Sequence, residues 1–372
     1  MTTNLRHAAG SLLVVGLSGT ELTALERAWL KLVRPAGTIL FRRNIADAAQ
    51  TRALLQEAMT FTAPHSLRCV DLEGGTVDRL RDALAPMPSA QAVAQTGKTA
   101  RMQEHGELVA RAVKAFGFNV TLAPVLDLAL PVSAKVMGTR AAAPTAEGVV
   151  TYARNFLAGL AAHKVAGCGK HFPGLGGGTL DSHLATPAID RTFRTLARED
   201  LIPYRELRHE LPMAMVNHAA YPRTLSKECP ASVSPYWITT VLRKRLGYRG
   251  IVFSDDLEMG GILNYCSIEE AVIAAVRAGM SLMEICHSPE LILRAYEALM
   301  AESERSAAFR TLLLARAKET ARLRAKLFSS ELSPALPGRQ FDALRKRIQR
   351  FGEIIGKAQP VKIQTVEEAQ QA

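Results

Sequence analysis

Nothing in the chain approaches the roughly 20 consecutive apolar residues of a membrane span, which speaks against a helical transmembrane protein. The five cysteines (Cys69, Cys168, Cys229, Cys266, Cys286) are scattered, odd in number and without a CxxC pair. That argues against a disulfide framework or a cysteine-based zinc site and predicts reduced thiols in a cytoplasm. The apolar run at 12–17 follows Arg6 and His7 in the manner of a signal-peptide core, yet it is short and leads straight into a helix-like segment, as a first barrel strand does. No repeat of solenoid period is present. The turn at 16–19 matches a glycine-rich phosphate loop poorly, which weakens a doubly wound nucleotide-binding sheet.

Positive charge is plentiful, and its distribution matters more than its size. The formal net charge is +11, and residues 301–350 carry twelve Lys or Arg against five Asp or Glu, so most of the excess lies near the C-terminus. Arg316, Lys318, Arg322, Arg324 and Lys326 have helical spacing, and no aromatic side chains interleave with them as a base-stacking surface requires. A solvated helix face is the better reading, and no nucleic-acid partner is expected.

Eight short apolar runs recur, at 11–17, 37–41, 67–70, 118–123, 166–169, 213–216, 251–253 and 281–285. Segments of helical periodicity separate them, at 21–33, 46–61, 99–116, 147–163, 195–209, 235–246 and 268–278. Strands alternating with helices call for parallel pairing, and eight such units predict an α/β fold, a TIM-type (β/α)8 barrel forming one catalytic domain. Polar residues gather where the runs end: Arg42, Arg43 and Asn44, Asp71 and Glu73, Asp127, Lys170 and His171, Asn217 and His218, Asp255 and Asp256, and His287. Such a ring belongs on a barrel's C-terminal face. The expected organisation is a barrel over 1–300 and a basic helical extension over 301–358. The extension contains a Ser- and Pro-rich stretch at 329–338 and a helix at 341–351. A polar tail over 359–372 is expected to be disordered.

Two segments carry chemistry. In Ile251-Val-Phe-Ser-Asp-Asp-Leu-Glu-Met259 a strand delivers two consecutive carboxylates to its end. Strand alternation predicts that only one of them points inward, and the bland alternative is that an aspartate, Asp256 more readily than Asp255, caps the next helix. In Lys170-His-Phe-Pro-Gly-Leu-Gly-Gly-Gly-Thr-Leu-Asp-Ser-His183 the glycines break regular structure and permit hinge motion, while Asp181 and His183 stand at i and i+2. A carboxylate so placed fixes an imidazole's tautomer and raises its basicity; the alternative is a plain surface loop.

With these two segments the chain resembles family 3 glycoside hydrolases of the β-N-acetylhexosaminidase branch, enzymes that recycle cell-wall muropeptides. The likeness spans about residues 12–289. It also rests on Gly37-Thr-Ile-Leu-Phe-Arg-Arg-Asn44, Val70-Asp-Leu-Glu-Gly-Gly-Thr-Val-Asp-Arg79 and Asn119-Val-Thr-Leu-Ala-Pro-Val-Leu-Asp127. The resemblance implies a retaining, two-step hydrolysis of terminal β-N-acetylglucosamine through a covalent glycosyl-enzyme, without metal or cofactor, on a carbohydrate such as a muropeptide fragment. It assigns Asp255 as nucleophile and His183, paired with Asp181, as acid/base in place of a second carboxylate. Asp71, Arg79, Arg140, Lys170 and His171 would hold the sugar, although structural ion pairing is a rival role for Arg79 and Arg140.

Departures from the family pattern fall at Leu72, Thr76, Leu175 and Ser281, and around Arg140 in Met137-Gly-Thr-Arg-Ala-Ala142. Rival functions are a β-glucosidase, although that branch usually has Trp where Asp256 stands, and a phosphorylase, since a neutral histidine repels phosphate less than a carboxylate does. A metal-dependent barrel hydrolase would draw on His171, His183, His218, His287 and Asp255, but no HxH pair marks an early strand. A non-catalytic sugar-binding protein is the remaining rival.

Overall fold

Eight parallel strands close a barrel: β1 (Leu13–Gly16), β2 (Gly37–Leu40), β3 (Leu67–Val70), β4 (Val120–Thr121), β5 (Ala166–Phe172), β6 (Met213–Val216), β7 (Ile251–Asp256) and β8 (Leu282–Ile285). Each strand lies at an expected apolar run, and β8 returns to β1 with Leu13 opposite Met283. The computed structural model describes residues 2–178 and 186–357. Asp181, His183 and the expected tail at 359–372 lie outside the described residues.

The helices between strands form for local reasons. Thr23 and Ser267 open helices Ala24–Val33 and Ile268–Ala278 with reciprocal capping boxes to Glu26 and Glu270. Gly279, at φ 108°, ends the second. Trp29, Leu30 and Val33 form the buried stripe of the first. One expectation fails: residues 195–209 are two short helices, Phe193–Arg198 and Ile202–Glu206. Pro203 sits in the first turn of the second helix, where its missing N–H costs nothing; inside a continuous helix it would break the ladder. The segment at 235–246 is helical but wound as a π-helix, Tyr236–Arg245, with the Leu246 N–H reaching Val241 O at 2.9 Å.

Apolar side chains fill two layers. Val14, Ile39, Cys69, Leu122, Met215 and Phe253 pack inside the barrel. A larger cluster joins the outer strand faces to the helices. Beyond β8 come helices Pro289–Arg305, Ala307–Leu327 and Gly338–Lys357. Phe328, just after the second, belongs to the interior cluster together with Ala36 and Leu67 at the N-terminal strand ends. Arg324 donates to the Ala36 carbonyl at 3.0 Å. The last helix buries Leu344, Ile348, Phe351 and Ile355 at helical spacing and stacks Phe351 on His105, so its basic residues occupy the other face.

Candidate active site

A cavity of about 570 Å³ opens at the C-terminal ends of the strands. Asp71, Lys170, His171, Asp255, Asp256 and Glu284 line it from β3, β5, β7 and β8, and Arg79 and Arg140 from the loops after β3 and β4. The described residues among those expected to hold the sugar therefore meet around one space with Asp255.

Two irregularities in the barrel place consecutive side chains there. On β5 the pairing with β6 passes from Gly169 opposite Ala214 to Phe172 opposite Val216, three steps against two, so an extra residue enters at Lys170 and His171. On β7 the pairing with β8 passes from Phe253 opposite Leu282 to Asp256 opposite Glu284, again with one extra residue. Such bulges suspend the alternation of faces. This corrects the expectation that only one of the two aspartates points inward: both Asp255 and Asp256 line the cavity. Nor does Asp256 cap a helix; its Oδ1 accepts the Glu258 N–H at 3.1 Å in a local turn.

Glu73 organises one wall. Its carboxylate takes a bidentate pair from Arg140, Nε and Nη2 each at 2.8 Å, and lies 2.6 Å from Lys170 Nζ. The same ammonium donates to Asp71 Oδ1 at 2.8 Å, and Arg79 Nη2 lies 3.7 Å from Asp71 Oδ2. Burial would raise the Glu73 carboxyl, but Arg140 and then Lys170 overcome it and hold it well below the usual carboxylate range. Asp71 is likewise held down against burial by Lys170 and Arg79. Lys170 is held above its ordinary value because Asp71 and Glu73 outweigh the burial that disfavours its charge. The ion-pairing role of Arg79 and Arg140 is thus real, and both still face the cavity.

His171 is fixed from both ends. Its Nδ1 is 2.6 Å from Asp127 Oδ2 and its Nε2 is 3.4 Å from Arg140 Nη2. Arginine only donates, so Nε2 accepts and Nδ1–H points at Asp127. Asp127 also accepts the backbone N–H groups of His171 and Leu175.

Around β7 the ties run to β8. Glu258 accepts the N–H groups of Cys286, His287 and Ser288, anchoring the segment after Asp256 to the end of β8. His287 Nδ1 lies 3.1 Å from Glu258 and 3.6 Å from Asp256, which raises its pKa against burial. His218 is buried between Ser232 Oγ at 2.7 Å and the Asp256 carbonyl at 2.9 Å. Both its nitrogens are therefore engaged, and the five-residue metal set is not assembled among the described residues. The one described trio with metal-binding atoms close together is Asp256, Cys286 and His287.

Glu73 and Asp127 were visible as polar residues at strand ends, but nothing in their spacing marked them as the groups that hold Lys170, Arg140 and His171. Glu284 was missed altogether, although an acid inside Ser281-Leu-Met-Glu-Ile285 is a legible breach of an apolar strand. Among the departures, Leu175 lines the cavity, Leu72 is buried in the hairpin Leu72–Gly74 and Val77–Asp78, and Thr76 is exposed at its turn. Ser281 Oγ accepts from Arg243 and from the Val252 N–H.

A closed eight-stranded barrel whose strand ends bring acids and cations around one cavity is the architecture of a barrel enzyme. The sequence profile of the Glycosyl hydrolase family 3 N terminal domain matches residues 4–310, and the chain belongs to glycoside hydrolase family 3. Among its relatives is a β-hexosaminidase from Methylococcus capsulatus, 38% identical over 287 residues, which are 76% of this chain and 85% of that protein. Among solved structures, a family 3 β-N-acetylglucosaminidase from Paenibacillus superposes with a TM-score of 0.83 at 30% identity, over 93% of this chain and 68% of that one. NagZ from Neisseria gonorrhoeae, in complex with N-trifluoroacetyl-D-glucosamine, superposes at 0.75 with 27% identity, over 94% and 98% of the two chains.

Proposed function

We propose that the protein is a retaining β-N-acetylhexosaminidase that removes terminal β-N-acetylglucosamine from muropeptide fragments in the cytoplasm. The observation that carries this reading is Asp255 at the end of β7, lining the same cavity as the Asp71, Glu73, Lys170 and Arg140 cluster. In the first step the Asp255 carboxylate attacks the anomeric carbon, the glycosidic bond breaks, and His183 gives the leaving oxygen a proton. In the second, His183 takes a proton from water, the water oxygen attacks the same carbon, and Asp255 leaves as carboxylate. Asp181 orients His183. Lys170, Arg79, Arg140, Asp71 and His171 hold the hydroxyls and acetamido group in register with the nucleophile. The β-hexosaminidase and β-N-acetylglucosaminidase names of the relatives support the sugar assignment. Five free cysteines accord with a cytoplasmic place.

Trapping with a fluorinated N-acetylglucosaminide followed by peptide mapping tests the reading. The expected product is a sugar esterified to Asp255. A label on Asp256, or normal turnover without any label, overturns it.

A further inference from the structure

Glu284 lies in the middle of β8, where its neighbours alternate cleanly between layers. Leu282 and Cys286 belong to the cluster inside the barrel, and Met283 and Ile285 to the one beneath the helices. The two-residue period therefore turns Glu284 inward. It pairs in register with Asp256, lines the cavity, and is 2% exposed. Its Oε1 is buried and has no hydrogen-bond partner among the described residues.

A buried carboxyl oxygen with no partner among the described residues is costly, and native interiors seldom keep one without a use. The other acids of this wall are engaged: Asp71 and Glu73 by cations, Asp127 by His171 and two backbone N–H groups. Glu284 instead shares the cavity with the carboxylates of Asp256, Asp71 and Asp255, the ammonium of Lys170 and the thiol of Cys286, and lies within electrostatic reach of the Cys69 and Cys168 thiols. Burial first, then the three carboxylates, push its carboxyl well above the usual range and favour the protonated form. A protonated carboxyl is a donor, which the ion-paired carboxylates of Asp71 and Glu73 do not offer.

We propose that Glu284 is a specificity-determining residue of the sugar site, its carboxyl O–H donating to an oxygen of the N-acetylhexosamine bound at Asp255. This rests on the reading of the cavity given above. The carboxyl reads the sugar and exchanges no proton with the reacting atoms; ionised, it has no proton to donate and repels a substrate oxygen. Glutamine in its place keeps a neutral donor, and leucine keeps the bulk alone.

Kinetics of the full chain with 4-nitrophenyl N-acetyl-β-D-glucosaminide from pH 6 to 10, calorimetric titration with N-acetylglucosamine, and thermal melts test the assignment. Glu284→Gln, which keeps a neutral donor, is expected to weaken N-acetylglucosamine binding less than Glu284→Leu does and to show a shallower alkaline decline than the wild type, the part set by loss of the His183 proton remaining in both. Glu284→Leu is expected to raise KM and weaken N-acetylglucosamine binding roughly tenfold, the worth of one lost hydrogen bond, while melting no lower than the wild type. Equal KM and sugar affinity in a folded Glu284→Leu protein, or an alkaline limb identical in wild type and Glu284→Gln, overturns the proposal. The second criterion stands alone if the leucine variant does not fold. A wild type that fails to turn over the glycoside overturns the reading of the site and this inference together, whereas wild-type turnover with indifferent variants overturns the inference only.

Discussion

Lys170 Nζ and Glu73 Oε1 meet at 2.6 Å with their side chains 5% and 2% exposed, an ion pair almost withdrawn from water at the mouth of the barrel. Removing one partner of such a pair leaves the other charge uncompensated. Replacing Glu73 by Gln is therefore expected to destabilise the fold by about 3 kcal/mol and to lower kcat/KM, as Lys170 and Arg140 lose their anchor. The pH dependence has a definite sign. The native Glu73 carboxyl titrates below its unfolded value of 4.5, so its contribution is complete above that value and is lost as pH falls further. Urea midpoints at pH 7 and pH 3.5 check this: the gap between wild type and Glu73→Gln should shrink at the lower pH, and a constant gap refutes it.

Asp127 accepts three N–H groups, two of them from His171. Asp127→Ala leaves those donors unpaired in a buried site, with an expected loss of about 3 kcal/mol of stability and a raised KM as His171 swings free. Chemical denaturation and steady-state kinetics on one preparation read both. Unchanged KM in a folded variant would show that the orientation of His171 does not matter to substrate binding.

Asp255 and Asp256 both face the cavity, and kinetics separates them. Asp255→Asn is expected to reduce kcat by roughly a thousandfold or more with N-acetylglucosamine binding retained. Asp256→Asn loses the contact to His287 and should cost far less. Reversal of that order would move the nucleophile to Asp256.

His105 is enclosed by Tyr152, whose hydroxyl lies 3.0 Å from Nδ1, and by Phe156 and Phe351. Burial lowers its pKa from 6.5 to about 3. Below 6.5 the unfolded chain binds a proton that the native state refuses, so this residue's contribution declines as pH falls towards 3, by up to about 1.4 kcal/mol per unit. His105→Phe should unfold with a shallower pH dependence between pH 7 and 5. Parallel slopes for the two proteins would contradict the burial argument.

The architecture was legible because it depends on patterns that repeat along the chain. Eight apolar runs recur at strand length, each followed by polar residues, and one face of a barrel collects those ends. The same pattern marks Asp71, Lys170, His171 and Asp255, and all four line the cavity. The two short helices at 193–206 escaped because the period ran through Pro203 without stopping.

What local pattern determined, then, is the barrel, the side of it that carries the chemistry, and the family resemblance in its loops, since burial imposes its period on neighbouring residues. What the tertiary structure alone decided is which side chains meet. The bulge that turns both Asp255 and Asp256 inward exists only between β7 and β8, and Glu73 becomes the anchor of Lys170 and Arg140 only once residues 67 and 97 positions away close on it. Those are relations across the barrel, and their energies depend on burial that no single segment possesses.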